Sequence, residues 1–220
     1  MQNILVQELE AVLPEGMHIP PPLIQLYEWI VSKQLYKETE DATYGFLYPE
    51  HEMKQSWTDT GREGGTDIEF VASGNVNLKY WFGKENEELN SRLCVFGRTG
   101  ADGSECALWL TDSGQVKIIH MGSGSGSTLA CVLADNAVDF LRLLAIGYDE
   151  ICWSEEFAYP PNTLDKEFRV EPNVEFQEWV KNTFNVTIPQ NALEIIKHPA
   201  SMDDDASDDE FFNWYQKFID

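Results

Sequence analysis

With 220 residues, 43% of them hydrophobic and 12% aromatic, the chain holds enough apolar material for one sizeable core, which excludes a disordered protein and favours a single domain. Its 38 acidic and 15 basic side chains leave a formal net charge of −23. Such a surface repels phosphate backbones and anionic membranes, excludes a nucleic-acid reader that needs a basic footprint, and steers basic proteins toward itself.

Residues 2 to 13 place Ile4, Leu5, Leu9, Val12 and Leu13 on one helical face, and Pro14-Glu15-Gly16 ends the pattern. A second helix is predicted after Pro20-Pro21-Pro22, because proline fits a first helical turn and Leu23, Leu26, Tyr27, Ile30 and Val31 then recur at helical spacing. Residues 38 to 90 mix short aromatic runs with charged and glycine-rich stretches such as Gly61-Arg62-Glu63-Gly64-Gly65, and read as one or two strands among long loops. From Arg92 onward the pattern is clearer. Leu93 to Phe96, Ala107 to Leu110 and Val116 to His120 are β-prone runs, the last two joined by Asp112-Ser113-Gly114, which predicts an antiparallel meander. Thr128 to Leu133 extends that sheet, Asp135-Asn136 offers an N-cap to a helix bearing Ala137, Phe140, Leu141 and Leu144, and Gly147 is placed to end it.

The C-terminal third reads as helical: Phe176, Trp179, Val180 and Phe184 form one stripe, and Ala192, Leu193 and Ile196 another. Ser207 with Glu210 forms a capping-box pattern before a last helix carrying Phe211, Phe212, Tyr215, Phe218 and Ile219. Strands in the middle with helices at both ends give an α+β fold, a mainly antiparallel sheet flanked by N-terminal and C-terminal helices. Residues 1–220 are expected to form one domain, with 154–220 as its helical extension.

No pattern for chemistry stands out. Gly122 to Thr128 lacks the lysine of a phosphate-binding loop and the strand-to-helix setting of a nucleophile elbow, and Gly97 to Gly103 leads into a strand rather than a helix. The run Asp203 to Glu210 lacks the glycine and final glutamate of a calcium loop and reads as a solvated loop entering a helix, with a partner-facing acidic patch as the lesser alternative. Cys94, Cys106, Cys131 and Cys152 have no metal or redox spacing, and the four histidines are scattered. Neither cofactor nor metal is expected, and no catalytic residue. The first residues lack the basic start of a secretory signal and no apolar run approaches membrane length, so a soluble protein in a reducing cytoplasm is the expectation.

The strand ending in Phe96-Gly97, the turn Asp102-Gly103-Ser104, the strand Ala107 to Leu110, the strand ending in His120-Met121-Gly122 and the run Val138 to Ala145 together resemble the SUKH superfamily of small α+β domains, the Smi/Knr-type proteins. The resemblance covers roughly residues 20 to 150 and is looser beyond Trp153. It implies a non-enzymatic, protein-binding role: many bacterial members are immunity proteins that neutralise a cognate toxin, often a nuclease, and fungal relatives are interaction hubs. The acidic balance suits a basic toxin domain as partner. Candidate partner contacts are Asp102 and Glu105 on the strand-connecting turn and Asp149, Glu150, Glu155 and Glu156 after the central helix, chosen as exposed charge beside the recognisable core. A regulatory scaffold with no toxin partner is the alternative, and a hydrolase the third reading. Oligomeric state has no signature in the sequence.

Overall fold

The computed structural model describes residues 3–52, 65–164 and 169–219; most of the glycine-rich stretch at 61 to 65 lies outside them. Among the described residues seven strands form one sheet: β1 (Tyr36–Glu38), β2 (Thr43–Phe46), β3 (Glu69–Gly74), β4 (Leu93–Arg98), β5 (Glu105–Leu110), β6 (Val116–Met121) and β7 (Val132–Ala134). They lie in chain order and every neighbouring pair is antiparallel. The expected meander over β4 to β6 is therefore the centre of a larger one. Residues 38 to 90, read as holding one or two strands, hold β2 and β3, with β1 at their margin. Gly45 interrupts β2 where Leu5 and Ile30 pack so closely that a Cβ would meet the Leu5 methyl at 3.0 Å.

Seven α-helices accompany the sheet among the described residues: α1 (Ile4–Val12), α2 (Pro21–Ser32), α3 (Leu78–Trp81), α4 (Glu87–Arg92), α5 (Ala137–Ile146), α6 (Val174–Phe184) and α7 (Glu210–Tyr215). Strand alternation sorts them onto two faces. Cys94 reaches the Val12 carbonyl of α1, and Phe96, two residues on, meets Phe140 of α5 edge-on, so α1 and α5 share a face. Cys94 is opposite Leu108 in the register, which turns the next residue, Trp109, to the other face, where Phe211 and Trp214 of α7 cover it. The central strands are buried on both faces, which is why β4 to β6 read as apolar runs.

Helix ends follow local chemistry. Asn3 accepts from the backbone nitrogens of Leu5 and Val6 to start α1, Asn136 accepts from Asp139 N to start α5, and Gly147 ends α5 at φ +94°. The last helix corrects one expectation: its N-cap is Asp209, which accepts from Phe212 N, while Ser207 accepts from Asp209 N. The Asp209 carboxylate also receives Val132 N of β7, so it joins the cap to the sheet edge, a task the Ser207 hydroxyl does not perform. The stripe at Ala192, Leu193 and Ile196 yields only a 3-10 turn, Ala192–Glu194: Ile195 N and Ile196 N close one turn onto the Ala192 carbonyl, and Pro199, three residues on, cannot continue a helix. At six residues α7 is too short to persist alone. Burial of Phe211, Phe212, Trp214 and Tyr215 holds it, each such side chain contributing about 1.5–3 kcal/mol. No helix among the described residues is long and apolar enough to cross a membrane.

Candidate interaction surface

Antiparallel strands in chain order bring the end of β4, the start of β5, the end of β6 and the start of β3 to one end of the sheet. Three connections meet there: the β4–β5 turn, the glycine–serine loop after β6, and the chain leaving α5. Asp102 joins the first two. Its carboxylate accepts Ser104 N at 2.9 Å, the Ser104 hydroxyl at 2.9 Å, the Ser123 hydroxyl at 2.8 Å and Ser127 N at 2.7 Å. Burial works to raise the carboxyl, but these donors outweigh it and hold Asp102 below the usual aspartate range. Gly126 is required by this packing, since a Cβ there would lie 2.7 Å from the Asp102 carboxylate. The glycine–serine loop is thus a connection fastened from beneath.

Glu150 does the same for the third connection. It is only 8% exposed; it accepts Ala101 N at 3.0 Å and Trp153 Nε1 at 2.7 Å, with the Cys152 thiol 3.3 Å away. Burial pushes its carboxyl up, and these donors, with a hydrogen bond to the Asp67 carboxyl, bring it below the ordinary glutamate value. A hydrogen bond between two carboxyls needs one proton between them. Asp67, Asp149 and Glu150 have oxygens within 4.8 Å of one another, a spacing a hard cation could use. Both Glu150 oxygens already receive protein donors, so the group acts as an internal hydrogen-bonded plug.

The structure places the six sequence-derived contact residues in two settings. Asp102, Asp149 and Glu150 come together at this sheet end, while Glu105 lies at the start of β5 opposite Arg98 and Met121, its carboxyl raised by burial and lowered by Arg98. Of these four, Glu150 is buried and the others half-buried, so they are less exposed than the sequence reading supposed. Glu155 and Glu156 lie in a 3-10 turn, Ser154–Glu156, that directly follows Trp153, with Glu155 exposed.

That turn borders a surface the sequence did not indicate. The buried Tyr148 hydroxyl donates to the Tyr159 carbonyl at 2.7 Å and accepts Ala192 N at 3.0 Å, and Leu193 N donates to the Phe157 carbonyl at 3.1 Å. One phenol oxygen therefore fixes the 157–159 and 192–193 segments side by side. Burial raises the Tyr148 phenol most, the Ala192 N–H works against it, and the Glu156 and Glu194 carboxylates add a smaller upward push. Tyr159 and Leu193 are each 44% exposed. Glu155 and Glu156 lie in the turn that leads into the first of these segments, and Glu194 follows Leu193 in the second.

Elsewhere, cations are engaged internally. Lys33 pairs with Glu175, Lys79 with Glu85, Arg92 with Asp112, Arg98 with Glu69, Arg142 with Asp139, and Lys197 with Asp135. Lys117, nearly buried on β6, lies 2.9 Å from both Asp135 and Glu210 at the floor of a polar cleft of about 410 Å³. That cleft's main cation is already taken. No family model, curated protein or solved structure matches the chain.

Proposed function

We propose that the chain is a non-catalytic protein-binding module whose acidic exterior meets a basic protein surface. The observation that carries this reading is the state of its charges: with 38 acidic against 15 basic side chains, internal pairing absorbs cations such as Arg92, Arg98, Lys117 and Arg142 and leaves the outward field negative. Such a field accelerates encounter with a basic partner and rejects acidic ones. The buried Glu150 and half-buried Asp102 carboxylates serve the fold, which is how a chain this acidic retains ordered loops between its strands.

The resemblance to SUKH proteins favours an immunity-type role for this module, occupying the basic surface of a toxin that must itself face phosphates. Affinity capture by the full chain at low ionic strength, mass-spectrometric identification of what is held, and titration of the purified pair against salt test the reading. A strongly basic partner whose affinity falls steeply with salt supports it. Binding indifferent to ionic strength, or turnover of a substrate by the purified chain, overturns it.

A further inference from the structure

Resting on that reading, we propose that the partner docks on the patch riveted by Tyr148, where Tyr159 and Leu193 receive an apolar, arginine-bearing protrusion of a basic protein and Glu155 and Glu194 receive its guanidinium groups. Three observations converge on this place. Tyr159 and Leu193 come from distant parts of the chain, yet their segments meet at one hydroxyl, so the exposed pair is a product of folding and not an accident of one loop. Nearly half of each residue is exposed, while Phe157 and Ala192 beside them are fully buried, so the patch stands on packed ground. Carboxylates adjoin both segments: Glu155 is exposed in the turn that leads into Phe157, and Glu194 follows Leu193, its carboxylate accepting Gln190 N at 2.8 Å at an exposed site.

The mount matters for affinity. A partner loses little by ordering a surface already held by hydrogen bonds of 2.7, 3.0 and 3.1 Å. Interfaces draw most of their energy from a few aromatic and apolar anchors ringed by polar groups, and tyrosine is among the commonest anchors. Arginine fits this composition better than lysine, because its planar guanidinium stacks on a phenol ring and bonds a carboxylate with two parallel N–H groups. Another exposed pair close in the chain, Val76 and Tyr80, has Lys79 over the Tyr80 ring, a position that already fills the face an arginine would take.

The test uses the full 15N-labelled chain and two synthetic peptides of equal positive charge, one alternating arginine with leucine and the other lysine with serine, at low salt. The expected result is amide shifts concentrated at residues 154–159 and 191–194 with the arginine–leucine peptide, and weaker binding of the other. The double variant Tyr159→Ala/Leu193→Ala keeps every charge and every backbone hydrogen bond described above, and is expected to lose about tenfold or more in affinity. A control variant, Val76→Ala/Tyr80→Ala, is expected to bind unchanged. Shifts centred elsewhere, equal binding of the two peptides, or undiminished affinity in the Tyr159/Leu193 variant overturn the patch and leave the basic-partner reading standing. Failure of both peptides to bind overturns that reading as well.

Discussion

Lowering the pH should expose one buried base more sharply than any other group. His120 of β6 is 0% exposed, and its Nδ1 lies 2.8 Å from the Leu129 carbonyl. A carbonyl only accepts, so Nδ1 carries the proton and Nε2 presents a lone pair that meets no donor among the described residues. Burial lowers the imidazole pKa from 6.5 to about 4, against smaller raising effects of the Leu129 carbonyl and the Asp102 carboxylate. The folded-state pKa is thus below the unfolded one. The stabilisation is complete above about pH 6.5 and is lost as pH falls through the window down to about 4, where the unfolded chain binds the proton first. Each pH unit inside the window is worth about 1.4 kcal/mol, so the descent from about pH 7 to about pH 5 removes about 2 kcal/mol. Urea unfolding of the wild type and of His120→Asn across that range isolates the effect, because the asparagine amide can still donate to Leu129 while the carboxylates titrate in both proteins. The wild type should lose about 2 kcal/mol more than the variant. Parallel pH profiles would refute the buried, neutral assignment.

Tyr148→Phe removes the phenol that joins Tyr159 and Ala192 and keeps the ring that packs edge-on against Phe157; with the buried Ala192 N–H left without its acceptor, unfolding free energy should fall by about 1–3 kcal/mol. Amide exchange at Ala192 should accelerate in that variant, and an unchanged rate would show that the hydroxyl is not the rivet. Gly126→Ala drives a methyl against Asp102 and should cost about 1–3 kcal/mol. It should also raise the Asp102 pKa toward the ordinary aspartate value, measurable by carboxyl 13C titration; an Asp102 that titrates as before would mean that the loop shifts without loss of its hydrogen bonds.

Sequence patterns disclosed those parts of the fold whose determinants are local. The helix over Ala137 to Ile146 was legible because Asn136 caps it, its apolar residues recur at helical spacing and Gly147 stops it in a left-handed conformation. β4 to β6 were legible because burial on both faces makes each an apolar run. Features that depend on distant partners stayed hidden. Ala192 and Leu193 carry a helical stripe, yet what fixes their place in the fold is bonding to Tyr148 and Phe157, residues more than thirty positions away. The choice of Asp209 over Ser207 as N-cap was equally invisible, since what favours it is Val132 N on the sheet edge.

The candidate site divides along the same line. Asp102 and Glu150 looked like surface charge because a sequence displays a carboxylate but not the donors that meet it. One signal was available for each: Asp102-Gly103-Ser104 has the form of a turn in which an aspartate accepts from the backbone two residues on, as it does with Ser104 N, and Glu150 is followed by the buried pair Ile151 and Cys152. Carboxylates of this chain therefore belong to two populations with opposite responses to substitution. Removing Asp102 or Glu150 leaves buried donors without acceptors and should lower stability whatever the protein binds. Removing Glu155 or Glu194 touches no buried donor among the described residues, since the Glu194 carboxylate accepts only at an exposed site, from Gln190 N. Its effect should fall on association. A charge scan scored for stability alone would thus emphasise the buried group and miss the surface that meets a partner; scored for both stability and association, the two populations separate whichever basic protein is used as the probe.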